Sequence, residues 1–192
     1  MFRRGPAGWV EVICGPMFSG KSEELIRRVT RSRIARVPVQ VFKPSLDDRY
    51  SEEAVVSHSD LSAPATSVSS ASALRKAVLD RTEVVGVDEA QFFDNELVSV
   101  VDDLADSGVQ VVIAGLDLDY LRRPFGPLPD LCDHAEYVTK MLAVCHRCGG
   151  PALYTQRLVR SDDLVVIGAA EAYESRCRGC YDPDEPEQPA LL

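Results

Sequence analysis

The sequence predicts an α/β fold, a parallel sheet with helices on both faces, and three observations carry that expectation. An apolar run, Val10 to Cys14, leads through a glycine-containing loop into a segment with Leu25, Ile26 and Val29 on one helical face. The same succession of apolar strand and amphipathic helix returns at "EVVGVDEAQFF", "NELVSVVDDLADSG" and "VQVVIAG". The chain has 192 residues, 45% of them hydrophobic, which is ample material for one generous domain or for a domain with an appendage.

Residues 1–8, "MFRRGPAG", read as a loose lead-in to the first strand. The loop that follows has the pattern Gly15-x-x-x-x-Gly20-Lys21-Ser22, and a strand before it with a helix after it makes this a P-loop. Backbone N–H groups of Gly15, Met17, Phe18, Ser19 and Gly20, in a loop that includes Pro16, form an anion cradle with the positive end of the helix. Lys21 would reach the β and γ phosphates of a nucleotide, and the Ser22 hydroxyl would ligate Mg²⁺. The arginines along the helix, Arg27, Arg28, Arg31, Arg33 and Arg36, read as a solvated face whose later members complement the C-terminal dipole, with a subunit contact as the alternative.

"VPVQVFKP" gives a second strand, Val39 to Lys43, closed by Pro44. The polar stretch after it, poor in periodicity until Ala71, is too long for an ordinary connection and reads as a lid, with Arg49 and His58 its chemistry-bearing members. "SSASALRKAVLD" is a short helix, and the buried strand after it runs directly into Asp88 and Glu89. In an open α/β sheet, ligands bind at the carboxyl ends of the strands, so both acids should face the P-loop crevice. Asp88 is then a partner for Mg²⁺, while Glu89 could orient water or accept a proton from a substrate hydroxyl. The acids alone do not separate a hydrolase from a kinase.

Gly108 ends the next helix, and residues 116–131, "LDLDYLRRPFGPLPDL", read as a loop because of Pro124, Gly126, Pro127 and Pro129. Four of the six cysteines form Cys145-x-x-Cys148 and Cys177-x-x-Cys180. Two such knuckles supply four thiolates to one Zn²⁺, and a site filled by sulfur leaves no position for water, so the metal should be structural. "ALYTQRLV" and "DLVVIGA" between the pairs read as strands of a hairpin or loop; His146 reads as a bystander, and Cys14 and Cys132 as small buried hydrophobes. The tail "YDPDEPEQPALL" is acidic and Pro-rich, the composition of a disordered segment.

The net charge of −9 and the absence of a long apolar run or leader-like N-terminus favour a soluble, intracellular protein that does not bind nucleic acid. A P-loop ATPase with a zinc ribbon gripping DNA would need basic and aromatic residues across a groove, whereas Asp162, Asp163, Glu171 and Glu174 crowd the cysteine region. A regulatory nucleotide binder without acceptor chemistry is the third alternative, and the pair Asp88 and Glu89 argues against it.

"GPMFSGKS", "DEAQFF", "GLDLDY" followed by "RPFGPL", and the cysteine pairs bracketing "ALYTQRL" and "VVIGAAEAYESRC" together resemble the zinc-containing, type II thymidine kinases of bacteria and animal cytosol, from Val10 to Tyr181. The resemblance implies transfer of the γ-phosphate of ATP to the 5′-hydroxyl of thymidine or deoxyuridine, a salvage step for DNA synthesis in the cytoplasm. It places Glu89 as general base and Arg49 as the lid arginine that approaches the phosphates. Lys21 would neutralise phosphate charge, and Gln91 lies beside the acids. Met17, Phe92, Leu116, Tyr120 and Thr155 would enclose the base, with Phe125 adding to the aromatic slot. The zinc lobe would carry a lasso-like loop that closes over the nucleoside with backbone groups near Val166 and Gly168 and the side chain of Tyr173. On this reading residues 1–140 form the P-loop nucleotide-binding domain, 141–181 the zinc lobe with its lasso, and 182–192 a disordered tail. Family members are commonly homotetramers restrained by thymidine triphosphate.

Overall fold

Apolar β-branched runs and helices with one apolar stripe produce the layers that pattern demands. The computed structural model describes residues 7–45, 54–56, 62–159 and 171–183. In chain order the elements are β1 (Trp9–Cys14), α1 (Lys21–Ile34), β2 (Val39–Pro44), β3 (Ala54–Val56), β4 (Ser62–Pro64), β5 (Thr66–Val68), α2 (Ala71–Ala77) and β6 (Val84–Val87). They continue with α3 (Glu96–Asp106), β7 (Gln110–Gly115), α4 (Leu128–His134), β8 (Tyr137–Lys140), β9 (Ala143–Val144), β10 (Pro151–Ala152), β11 (Tyr154–Arg157) and β12 (Tyr173–Arg176).

Six strands form one parallel sheet in the order β5-β2-β6-β7-β1-β8. Successive side chains of a strand point to opposite faces, so each strand feeds two cores. Cys14, Phe42, Val85, Val87, Val111 and Ile113 pack with α2, α3 and α4, while Ile13, Val41, Val84 and Val112 pack with Leu25, Ile26 and Val29 of α1. Burial of each such α1 side chain is worth about 2 kcal/mol, which seats the helix whose first turn follows the P-loop. Cys14 pairs with Gly115, and Val87 with Ile113, so the chain leaves β1, β6 and β7 at the same edge of the sheet.

Several sequence expectations are corrected by this arrangement. The stretch read as one long loop contains β4 and β5, and β5 extends the sheet by pairing with β2. The stretch 116–131 read as loop contains the start of α4, whose N-cap is Pro127 and whose second residue is Pro129; a proline is tolerated there because the first-turn N–H groups have no intrahelical partner. β11 pairs with β12, "YESR", a polar stretch not read as a strand, while "DLVVIGA" lies outside the described residues. Of the α1 arginines, Arg28 is not part of a solvated face. It donates to Glu11 at 2.6 Å, Glu24 at 2.8 Å and Thr139 at 3.0 Å, tying α1 to β1 and β8. Cys14 and Cys132, distant in sequence, meet between β1 and α4 with their thiols hydrogen-bonded.

Candidate active site

The phosphate loop keeps its shape through conformations and contacts that few sequences allow. Gly15 has φ 145°, and a Cβ there would stand 2.4 Å from the Met141 carbonyl oxygen, because Met141 N–H donates to Cys14 O at 2.8 Å and holds the chain after β8 against the loop. Phe18 and Gly20 are left-handed, and Gly20 caps α1, accepting from Glu24 N–H at 3.0 Å. Ser19 Oγ donates to Pro16 O at 2.8 Å, and Lys21 Nζ donates to the same carbonyl at 2.7 Å. The Lys21 ammonium is therefore folded over its own loop. Desolvation lowers its pKa, opposed by the charges of Glu89 and then Asp88.

Asp88 leaves the end of β6 as a buried carboxylate. Burial, and then the charge of Glu89, push its pKa up to about 7, although Ser22 Oγ donates to it at 3.3 Å and Glu89 N–H at 3.0 Å. A buried carboxylate with so weak a claim on its charge, facing a hydroxyl, is a suitable donor set for a hard cation such as Mg²⁺. Glu89 itself is left-handed, φ 51°, at the start of a 3-10 turn over Ala90–Phe92. A non-glycine residue in that region is strained, by roughly 1–3 kcal/mol, and such strain collects at functional sites.

Gln91 holds both sides of this turn. Its Nε2 donates to Glu89 Oε2, and its Oε1 accepts from Leu116 N–H at 2.9 Å, just beyond β7. Gly126 packs against the same turn, where a Cβ would fall 2.2 Å from Gln91 O. Phe92 and Phe125 meet edge to face, centroids 5.5 Å apart at 88°, the geometry that aromatic quadrupoles favour. Met17 N–H donates to Thr155 Oγ1 at 3.0 Å, joining the phosphate loop to β11. Arg157 lies 3.6 Å over the Tyr120 ring and donates to Tyr173 Oη at 3.3 Å, which brings Tyr120 and Tyr173 together.

The proposed site residues from Gly15 to Ser22, with Asp88, Glu89, Gln91, Phe92, Leu116, Tyr120, Phe125, Thr155 and Tyr173, thus belong to a connected set of loops at one sheet edge. Arg49, His58, Val166 and Gly168 lie outside the described residues. Sequence reasoning missed Arg122, Arg157 and the Asp117–Lys140 ion pair beside the site. Isolated charges in a loop give no spacing signal, and no motif names them.

The four cysteines come together near β9 to β12, and their sulfur atoms all lie within 4.8 Å of one another. Cys148 Sγ and Cys177 Sγ are 3.6 Å apart, against the about 3.8 Å that tetrahedral Zn–S bonds impose. Backbone N–H groups of Cys177, Cys148 and Arg147 hold the Cys145 thiol down to about 6, the thiolate form that a metal needs. The donor set fits a structural Zn²⁺.

A parallel sheet with a P-loop after its β1 strand and an Asp-Glu pair after β6, with β7 between the two strands, defines a P-loop nucleotide-binding protein. The model of the thymidine kinase family matches residues 8–181. The chain is 52% identical over 188 residues to a thymidine kinase of Rhodothermus sp. (strain ITI 518), covering 98% of this chain and 88% of that protein. The chain belongs to the thymidine kinase family.

Proposed function

We propose that this protein transfers the γ-phosphate of ATP to the 5′-hydroxyl of thymidine, and of deoxyuridine, as a salvage step for DNA synthesis. The observation that carries the reading is the place of Glu89: a carboxylate turned out of β6 next to Asp88, steadied by Gln91, and charge-coupled to the P-loop lysine.

Phosphoryl transfer asks a protein mainly for alignment and charge neutralisation. The N–H groups of Gly15 and of residues 17–22 cradle the phosphates, and Lys21 leaves Pro16 O to meet the β and γ oxygens. Glu89 accepts the proton of the 5′-hydroxyl as its oxygen attacks phosphorus in line. Arg49 closes over the phosphates. Ser22 and Asp88 would hold Mg²⁺, which would supply charge neutralisation to the phosphates when bound. Met17, Phe92, Leu116, Tyr120, Phe125 and Thr155 wall the base, and the lasso backbone near Val166 and Gly168, with Tyr173, closes the open side. Zn²⁺ on Cys145, Cys148, Cys177 and Cys180 fixes the two ends of that loop. The division into residues 1–140, 141–181 and 182–192 completes the reading. It is supported by β8 ending at Lys140 and by the short strands that flank the cysteine pairs beginning at Ala143.

Among the described residues no helix is long and apolar enough to cross a membrane. Our reading includes a cytoplasmic homotetramer, restrained by thymidine triphosphate and without nucleic-acid partners; the family resemblance and the acidic net charge support it. The test is ADP release from ATP and Mg²⁺ with thymidine, deoxycytidine, single-stranded DNA or no acceptor, with the product identified by chromatography. Thymidine-dependent release yielding thymidine monophosphate is expected. Release driven by DNA alone would replace this reading with that of a nucleic-acid-dependent ATPase.

A further inference from the structure

The turn that carries Tyr120 is held from two directions. From within, Asp119 Oδ1 accepts the N–H groups of Leu121 and Arg123, each at 2.8 Å, and Asp119 N–H donates to Arg123 O at 2.9 Å. This tight turn forces Arg122 into the left-handed region at φ 63°, a conformation that a residue with a Cβ keeps only where its surroundings over-determine it.

The surroundings come from the cysteine-bearing segment. The Arg122 guanidinium sits over a tilted pair of rings, 4.0 Å from the centroid of Tyr154 and 3.8 Å from that of Tyr181, whose centroids are themselves 5.3 Å apart. Its Nε is buried with no hydrogen-bond partner among the described residues, so its position is set by the ring faces. Tyr181 follows Cys180 directly, donates its N–H to Cys177 O at 3.0 Å, and sends its hydroxyl to Tyr120 O at 2.6 Å. A path of two side chains therefore connects the second cysteine pair to the Tyr120 turn. A broad, weakly hydrated guanidinium can cover both rings of such a pair, which a compact, strongly hydrated ammonium does less well.

We propose that Arg122 and Tyr181 are positioning residues that carry the geometry of the cysteine cluster to the Tyr120 turn, and so set the wall against which the nucleoside base rests. This inference rests on the thymidine kinase reading. Neither residue touches the reacting atoms; both act through Tyr120.

The test compares the unchanged protein with Arg122→Met, Arg122→Lys and Tyr181→Phe by steady-state kinetics, zinc content and amide hydrogen exchange at Leu121 and Arg123. Both Arg122 variants are expected to raise the KM for thymidine about tenfold, a loss of about 1.4 kcal/mol, with kcat and the KM for ATP within twofold and zinc retained. Tyr181→Phe, which keeps the ring and loses one hydrogen bond, should raise it about threefold. Zinc removal from the unchanged protein should speed exchange at the two amides and add nothing in Arg122→Met, where exchange is already fast. If Arg122→Met fails to fold, Tyr181→Phe decides. Unaltered KM and exchange in the folded variants, or equal losses in kcat and both KM values, would overturn the inference. An unchanged chain that does not phosphorylate thymidine defeats the functional reading instead, and the exchange comparison still decides whether the strut exists.

Discussion

The N–H of Met17 and the hydroxyl of Thr155, 138 positions apart in the chain, are joined by a 3.0 Å hydrogen bond that links the phosphate loop to β11. Thr155 is buried, so water cannot replace it readily. Thr155→Val keeps the shape and leaves the Met17 N–H without its acceptor, which costs about 1–3 kcal/mol. Thermal melting should fall by roughly 4 °C, and the KM values for thymidine and ATP should rise together, since Met17 borders both. Thr155→Ser should be near normal. A valine variant that melts and turns over like the unchanged protein would show the contact to be incidental.

Glu89 and Gln91 should separate in a kinetic comparison. Glu89→Gln removes the proton acceptor while keeping size and neutral polarity, so kcat should fall about 10²–10⁴-fold with thymidine affinity, read by calorimetry, little altered. Gln91→Met leaves the carboxylate present but without the amide that steadies it and without the acceptor of Leu116 N–H; a loss of roughly tenfold in kcat is expected. Near-normal turnover by Glu89→Gln would assign the base elsewhere.

The parts of this site legible in the sequence are those with a fixed spacing or a period. Gly15 to Ser22 follows a strict pattern, β6 is an apolar run ending in two acids, and the cysteine pairs carry their own count. What was hidden has a physical reason in each case. β8, "YVTK", is an edge strand with three of its four residues exposed, so no apolar alternation marks it. β12, "YESR", is polar by composition yet largely buried, because its Arg176 pairs with Glu174 and donates to Cys180 O, and Ser175 donates to Val144 O, so hydropathy does not mark it. The prolines that read as loop begin α4. The left-handed turn at Glu89 leaves no trace in residue type, since it is imposed by Gln91, Gly126 and the strand end around it.

Zinc should be present at one ion per chain and should act through shape. Among the described residues the cysteine cluster is backed by two buried apolar side chains, Ala143 and Ala152, a core too small to stand without a metal. Chelation is therefore expected to lower the melting temperature and weaken thymidine binding while leaving much of the ATP affinity, which depends on the sheet and α1. Cys148→Ser should reproduce the effect in part. Metal content by emission spectroscopy and calorimetric titration with each substrate check this, and a zinc-free protein with full thymidine affinity would refute it.

Asp88 makes a pH prediction with a definite sign. Its ordinary pKa is 3.8 and burial, assisted by Glu89, raises it to about 7 in the folded chain. Between those values the folded state holds a proton that the unfolded state has released, so this group's contribution to stability declines as pH rises from about 4 to 7 and is fully unfavourable above that. Lys21 works in the opposite direction: burial lowers its pKa, and stability from that group rises with pH only as its unfolded form approaches 10.5. The stability advantage of Asp88→Asn over the unchanged protein should therefore grow by about 2 kcal/mol, roughly 5 °C in melting temperature, between pH 5 and pH 8 when nucleotide and Mg²⁺ are absent. Adding Mg²⁺ and ATP at pH 8 should stabilise the unchanged protein more than the variant, because the carboxylate then has a cation to neutralise it. Melting curves at the two pH values decide the matter: an equal difference at both would mean that Asp88 is already ionised in the empty site.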